Sequence, residues 1–170
     1  MNRKFLLRVR DRIQAAYAHG HERPLTGYVT VLGTYASVFG LLGAAARLGR
    51  VRVPERIGVA DTALLTIATH KASRLLAKDS VTSPLRAPFT RYEEPAGEGE
   101  VNESVRGHGA RHAVGELVTC PFCLSVWVAS GLAAGLVIAP RPTRLVLSTL
   151  TAIAGSDALQ LVYDRAKPES

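Results

Sequence analysis

The only two cysteines of the chain, Cys120 and Cys123, stand close together in the segment VTCPFCLSVW. At the start of a helix such a pair suits thiol–disulfide exchange, because the first amides of a helix stabilise a thiolate. The catalytic residues would then be these two cysteines. However, no strands of a thioredoxin-like fold are predicted around them, and a cytosolic location would keep both thiols reduced. We therefore prefer two reduced, packed thiols, since buried cysteine commonly acts as a small apolar residue.

Two histidines, His108 and His112 of the segment HGARH, lie just upstream of the cysteine pair. Two histidines and two cysteines can complete a tetrahedral zinc site, so zinc bound by His108, His112, Cys120 and Cys123 is an alternative interpretation. His108 stands between two glycines, and the spacing matches no familiar zinc finger. No other metal or cofactor is predicted.

A second cluster of polar side chains is cationic and follows a predicted helix. Its members lie at or just beyond the end of that helix: His70, Lys71, Arg74, Lys78 and Arg86. Positive charges and hydroxyls at a leaflet surface can bind a phosphate or a lipid head group. We therefore expect a non-enzymatic module that binds an anionic lipid or a partner protein here. The alternative is ordinary anchoring of a helix end by positive charge.

The elements that must position these residues are apolar. The chain has 170 residues, of which 47% are hydrophobic, and a net charge of +7. Its charges cluster between stretches that are nearly free of them, which is typical of a membrane protein. The basic residues flank apolar runs rather than forming one patch, so we expect the lipid bilayer as a partner and no nucleic acid.

The apolar pattern predicts an all-α integral membrane bundle of about four transmembrane helices. A spanning helix needs about 20 residues, and the predicted spans are residues 24–46, 57–76, 113–139 and 143–163. The second span is impure, because it carries a stripe of hydroxyls and charged residues near its ends. Such a helix should turn its polar face towards its neighbours.

Three segments are predicted to flank or connect the spans. Residues 1–23 form a basic amphipathic helix that lies in the membrane interface. Residues 93–111 are acidic and rich in glycine, which predicts a flexible loop. Residues 164–170 form a polar tail.

Small residues recur at every fourth position in two of the spans. They are Ala36, Gly40 and Ala44 in the first span, and Gly131 and Gly135 in the third. Because helices associate in lipid through close backbone approach, these positions predict a homo-oligomer.

Lysine and arginine counts favour both termini in the cytoplasm. The segments 1–23, 78–112 and 164–170 hold thirteen of these residues, whereas the loops 47–56 and 140–144 hold six. The positive-inside rule therefore places the first three segments inside. Four arginines in the first outer loop run against this trend.

Two segments resemble a known family. THKASRLLAKDSVTSPLRAPFTRYEE and, after a variable loop, GELVTCPFCLSVWVA are similar to small bacterial membrane proteins grouped as domain of unknown function 1360, some of them associated with sporulation. The resemblance covers roughly residues 57–160. It implies a multi-pass protein of the bacterial plasma membrane, and it brings no activity, substrate or catalytic residue.

Overall fold

The computed structural model describes residues 3–19 and 23–167, which are mostly helical. The first three helices are α1 (Arg3–Ala18), α2 (Leu25–Leu48) and α3 (Val59–Lys78). A 3₁₀ turn (Ser80–Thr82), the short helix α4 (Ser83–Arg86), strands β1 (Thr90–Gly97) and β2 (Glu100–Val105) and helix α5 (Ala110–Thr119) follow. The last two helices are α6 (Pro121–Ile138) and α7 (Pro140–Ala166). We call residues 79–119 the cap.

Three helices, α2, α6 and α7, are long and apolar enough to cross a membrane. Their most apolar stretches are almost entirely unburied within the chain. Apolar surface of this extent needs a non-aqueous neighbour, so these helices indicate membrane association. Helix α3 has 20 residues but is not among the three. The predicted four-helix membrane bundle is therefore not confirmed.

Helices α3, α6 and α7 pack around a small apolar core of Ala68, Leu136 and Leu147. The first turns of α3 and α7 meet through Asp61 and Arg144, and Lys71 pairs with Asp157 further along the same two helices. Hence α3 and α7 run in the same direction. Helix α6 turns into α7 through the single residue Ala139 and runs the opposite way.

Helix α2 runs alongside α6 in the same direction. Near its start, Tyr28 binds Glu116 of α5, and further along Tyr35 meets Ser130 in the middle of α6. The helices α2, α3, α6 and α7 therefore alternate in direction along the chain. All four ends that adjoin the cap lie on the same side of the bundle.

The predicted third span, 113–139, is two helices in the structure. Pro121 lacks an amide hydrogen, and its ring disfavours a helical conformation for the residue before it. Cys120 is accordingly extended, with φ −104° and ψ 105°. Pro121 begins α6, while α5 belongs to the cap.

The prediction of an all-α chain with a flexible loop at 93–111 is wrong for this segment. Strands β1 and β2 form an antiparallel hairpin, in which Thr90 pairs with Val105. The turn contains Gly97 and Gly99, whose φ angles of 142° and 73° favour glycine. Val101 and Thr90 are buried, so the hairpin packs against the rest of the cap instead of extending into solvent.

A buried arginine holds the cap together. The Arg86 side chain is 1% exposed, and its Nε donates to Oε2 of Glu103 on β2 at 2.6 Å. Its Nη1 donates to the Leu76 carbonyl at 2.9 Å and to the Thr82 hydroxyl at 2.6 Å. Its Nη2 donates to the Asp79 carbonyl at 3.0 Å. One side chain therefore joins the end of α3, the 3₁₀ turn, α4 and the hairpin.

We predict that Arg86→Ala lowers the free energy of unfolding by roughly 3–5 kcal/mol, because Glu103 is left buried without its partner. Urea unfolding of the detergent-solubilised protein, followed by circular dichroism, measures the change. Arg91→Ala is the matched control, since Arg91 is exposed on β1. An equal loss of unfolding free energy in both variants would contradict the role of Arg86 in holding the cap together.

Candidate functional site

An open groove of about 710 Å³ lies between α2, α5 and α6, on the cap side of the bundle. We call it the cap-side groove. Its walls along the membrane helices are apolar and include Val31, Leu32 and Val126. Its end at the cap is polar and is formed by Arg23, Tyr28 and Glu116. An apolar cleft with a few convergent polar groups is the usual form of a ligand site.

The polar end is organised around the Glu116 carboxylate of α5. The Tyr28 hydroxyl donates to its Oε2 at 2.6 Å, and Nη1 of Arg23 lies 3.1 Å from its Oε1. Nε2 of His112 lies 3.6 Å from the same Oε1. Glu116 therefore joins the start of α2 to the cap, and Arg23 meets it through one nitrogen, Nη1.

Two close contacts fix α2 beside the groove. A side chain at Gly27 would place its Cβ 2.5 Å from the Gly109 carbonyl oxygen, so only glycine fits against the start of α5. Further along, Tyr35 stacks edge-on against Trp127 with ring centroids 5.1 Å apart. The Tyr35 hydroxyl also bonds Ser130 Oγ at 2.7 Å. The cap-side groove opens between these two contacts.

Both cysteines line this groove, and both are free thiols. Cys120 caps the start of α6, where its Sγ accepts the Cys123 amide hydrogen at 3.2 Å. Cys120 is partly buried and Cys123 is exposed. The pair thus faces a space that a ligand can enter rather than a closed core.

The zinc site considered from the sequence is not formed. Across residues 3–19 and 23–167, no three His, Cys, Asp or Glu side chains are grouped to hold a metal ion. The reason is helix α5, since His112 and Cys120 are eight residues apart and hence about 12 Å apart along a helix. His108 is exposed just before α5. His112 instead lies 3.3 Å from the Gly107 carbonyl through Nδ1.

The structure does not bring the five cationic residues into one open surface. Lys71 Nζ lies 2.6 Å from Oδ2 of Asp157, and Arg74 forms two bonds with Glu100. Arg86 is buried and paired with Glu103. His70 is exposed and Lys78 is half-buried. Three of the five side chains are therefore paired with carboxylates of the chain itself.

The small residues of α2 and α6 differ in what they contact. Ala36, Gly40 and Ala44 are exposed on α2, and so is Gly131 on α6. Gly135 instead faces α7, where a Cβ would lie 2.8 Å from Thr143 Oγ1. Gly135 thus serves a contact within the chain, and a homo-oligomer through the remaining positions stays a prediction.

The sequence did not predict the groove that five side chains shape: Arg23, Tyr28, Tyr35, Glu116 and Trp127. Trp127 is the only tryptophan of the chain, which is a weak signal by itself. The contacts of Arg23 and Tyr28 with Glu116 join residues about 90 positions apart in the sequence. A short-range sequence pattern cannot predict such contacts.

Residues 64–163 match the family model described as Protein of unknown function (DUF1360). The chain belongs to this family. A relative, "Sporulation protein YjcA" of Bacillus subtilis (strain 168), is 34% identical over 95 residues, which cover 54% of this chain and 80% of that protein. No solved structure matches the chain. The DUF1360 match contains the cap and α6, whereas α2, the other wall of the groove, lies outside it.

Proposed function

We propose that this DUF1360 protein is a non-enzymatic module of the bacterial plasma membrane that binds an anionic lipid in its cap-side groove. The observation that carries the proposal is the combination of apolar walls on α2 and α6 with a polar end containing Arg23. This arrangement matches an amphiphile, whose acyl chain needs apolar contact and whose phosphate needs a cation. We place the binding site in the groove and not at the predicted cationic cluster, because three side chains of that cluster are paired with carboxylates of the chain.

Arg23 has the donors that such a head group requires. Its side chain is 56% exposed, and Nη1 is the nitrogen that meets Glu116. A guanidinium carries five N–H donors, so a phosphate can bind without breaking this pair. The Gln14 side chain bonds the Arg23 carbonyl and the Leu25 amide, which holds α1 against the start of α2. Helix α1 also carries the exposed arginines Arg8 and Arg12.

We predict that an anionic lipid contacts Trp127 in preference to a zwitterionic one. Brominated phosphatidylglycerol should quench the fluorescence of this single tryptophan more strongly than brominated phosphatidylcholine in reconstituted vesicles. Arg23→Gln should weaken the preference about fivefold, because one basic residue at a membrane surface contributes about 1 kcal/mol. Arg91→Gln, on the exposed strand β1, is the control with the same charge change. Equal quenching by both lipids would overturn the proposal.

The proposal includes four membrane crossings with both termini in the cytoplasm. The alternating directions of α2, α3, α6 and α7 support it, as does the excess of lysine and arginine on the cap side. Helix α3 is the least apolar of the four, but Asp61 is paired with Arg144 and Lys71 with Asp157. Pairing within the bundle lowers the cost of placing these charges in lipid.

Residue accessibility in intact cells tests this topology. In a background of Cys120→Ala and Cys123→Ala, a membrane-impermeant maleimide should label Val53→Cys, in the loop after α2, and leave Glu98→Cys, at the hairpin turn, unlabelled. Both positions are exposed in the structure, so access depends on the membrane. After cell lysis both variants should react. Labelling of Glu98→Cys before lysis would contradict the topology.

Thiol–disulfide exchange is the second candidate function. It is favoured by the position of Cys120 Sγ at the start of α6, where it accepts the Cys123 amide hydrogen and lies in the wall of the open cap-side groove. The Cys120 thiolate would attack a disulfide of a partner and release one partner thiolate. Cys123 would then displace the second partner sulfur, so two electrons pass to the partner and a Cys120–Cys123 disulfide remains.

Glutathione provides the test of this second candidate. If the pair exchanges, oxidised glutathione should convert both thiols together into an internal disulfide, and Cys123→Ser should trap a mixed disulfide on Cys120. Mass spectrometry after alkylation counts the free thiols. If both thiols still react with the alkylating reagent after this treatment, the pair does not exchange, and the two cysteines serve only as packed side chains.

A further inference from the structure

A second groove lies at the other end of α2 and is not used by the proposed function. It has a volume of about 550 Å³ and separates the C-terminal half of α2 from the last turns of α6. We call it the distal groove. Its walls are apolar, with Leu42 and Ala46 on one side and Val137 on the other. Arg47 and Arg50 line its end, where α2 finishes.

These two arginines have no acidic partner in the part of the chain that the structure describes. Within residues 3–19 and 23–167, no carboxylate lies within 4.0 Å of a nitrogen of Arg47 or Arg50. This differs from the cap side, where Arg74 and Arg86 are both neutralised. The charge at the end of the distal groove is therefore available to an external anion.

The backbone also holds Arg50 in a conformation that usually requires glycine. The Arg50 amide bonds the Arg47 carbonyl at 3.1 Å and the Val51 amide bonds the Ala46 carbonyl at 2.9 Å, which is the Schellman ending of a helix. Arg50 occupies its left-handed position with φ 52°. An arginine there carries strain that glycine would avoid, and such strain is often retained for function.

The distal groove also bears on the arginines that run against the positive-inside trend. Residues 47–56 carry four arginines, although the excess of basic residues lies on the cap side. Anchoring by the positive-inside rule does not explain charge at this end. A bound anion explains two of the four, because it would neutralise Arg47 and Arg50 where α2 ends.

We infer that the distal groove binds one anionic phospholipid from the leaflet opposite the cap. Its head group lies between Arg47 and Arg50, and an acyl chain follows the apolar walls towards the aromatic contact of Phe39 with Trp127. Gly43 leaves room for the chain, since a Cβ built there meets nothing within 4 Å. The rings of Phe39 and Trp127, with centroids 6.3 Å apart, lie between this groove and the cap-side groove, and the two grooves share no lining residue.

Native mass spectrometry of the full chain in detergent tests this site with an equimolar mixture of phosphatidylglycerol and phosphatidylcholine. The unchanged protein should retain phosphatidylglycerol selectively. The double variant Arg47→Gln, Arg50→Gln should bind the distal lipid at least about tenfold more weakly, because two basic residues are lost. The matched control is Arg52→Gln, Arg56→Gln, which removes the same charge from exposed positions that do not line the groove.

A pair of glycine variants tests the groove itself rather than its charge. Gly43→Leu should fill the distal groove and remove the bound lipid, whereas Gly33→Leu, also in open space on α2, should leave it in place. Arg23→Gln should leave the distal lipid bound, so that a failure of the cap-side proposal can be told apart from a failure of the distal one. Equal losses in the two arginine pairs, or no selectivity for phosphatidylglycerol in the unchanged protein, would overturn the inference.

Discussion

The buried Arg86–Glu103 pair is the interaction on which the arrangement of the cap depends. A buried guanidinium is tolerated when all its donors find acceptors, and Arg86 meets this condition through one carboxylate, two hydroxyls and backbone carbonyls. Fixing Glu103 fixes strand β2, whose Val105 packs closely against Gly115 of α5. The next residue, Glu116, holds Tyr28 of α2. A continuous set of contacts thus connects the Arg86–Glu103 pair to the cap-side groove.

The same pairing of charges bears on how α3 lies in the bundle. Taken alone, α3 has too many ionisable side chains to be an apolar span. In the structure, Asp61 and Lys71 face charges of opposite sign on α7, and Arg74 faces Glu100 on the hairpin. Two of these pairs join α3 to α7 at different heights, and the third joins it to the hairpin. The polar residues of α3 therefore act as specific contacts between elements, which disfavours a general surface for anions.

Charge-free length made helix α2 predictable, because an apolar run of more than 20 residues has few alternatives. Helix α7 was predictable although it carries Arg144 and Asp157, because residues 145–156 between them are free of charge. Pro121 is compatible with a break at Cys120, because a proline begins or kinks a helix, but the apolar pattern alone predicted one span over residues 113–139. The hairpin was not predictable from the sequence, because the glutamates of its strands suggest a solvated loop. Its order comes from partners far along the sequence, such as Arg74 for Glu100, 26 residues away, and Arg86 for Glu103, 17 residues away. Composition does not report such pairs.

Contacts between residues far apart in sequence also explain why the candidate site in the structure differs from the one predicted. The cysteines, histidines and cations attracted attention by type and spacing, whereas the groove arises from where α2 lies relative to α5 and α6. Helix α2 meets these helices chiefly at Gly27 and at the Tyr35–Trp127 contact, with an open groove beside each half of α6. A ligand that fills a groove adds contacts between α2 and α6 that the empty chain lacks. By linkage, lipid binding and the docking of α2 then stabilise each other, since a ligand of the docked state raises the stability of that state.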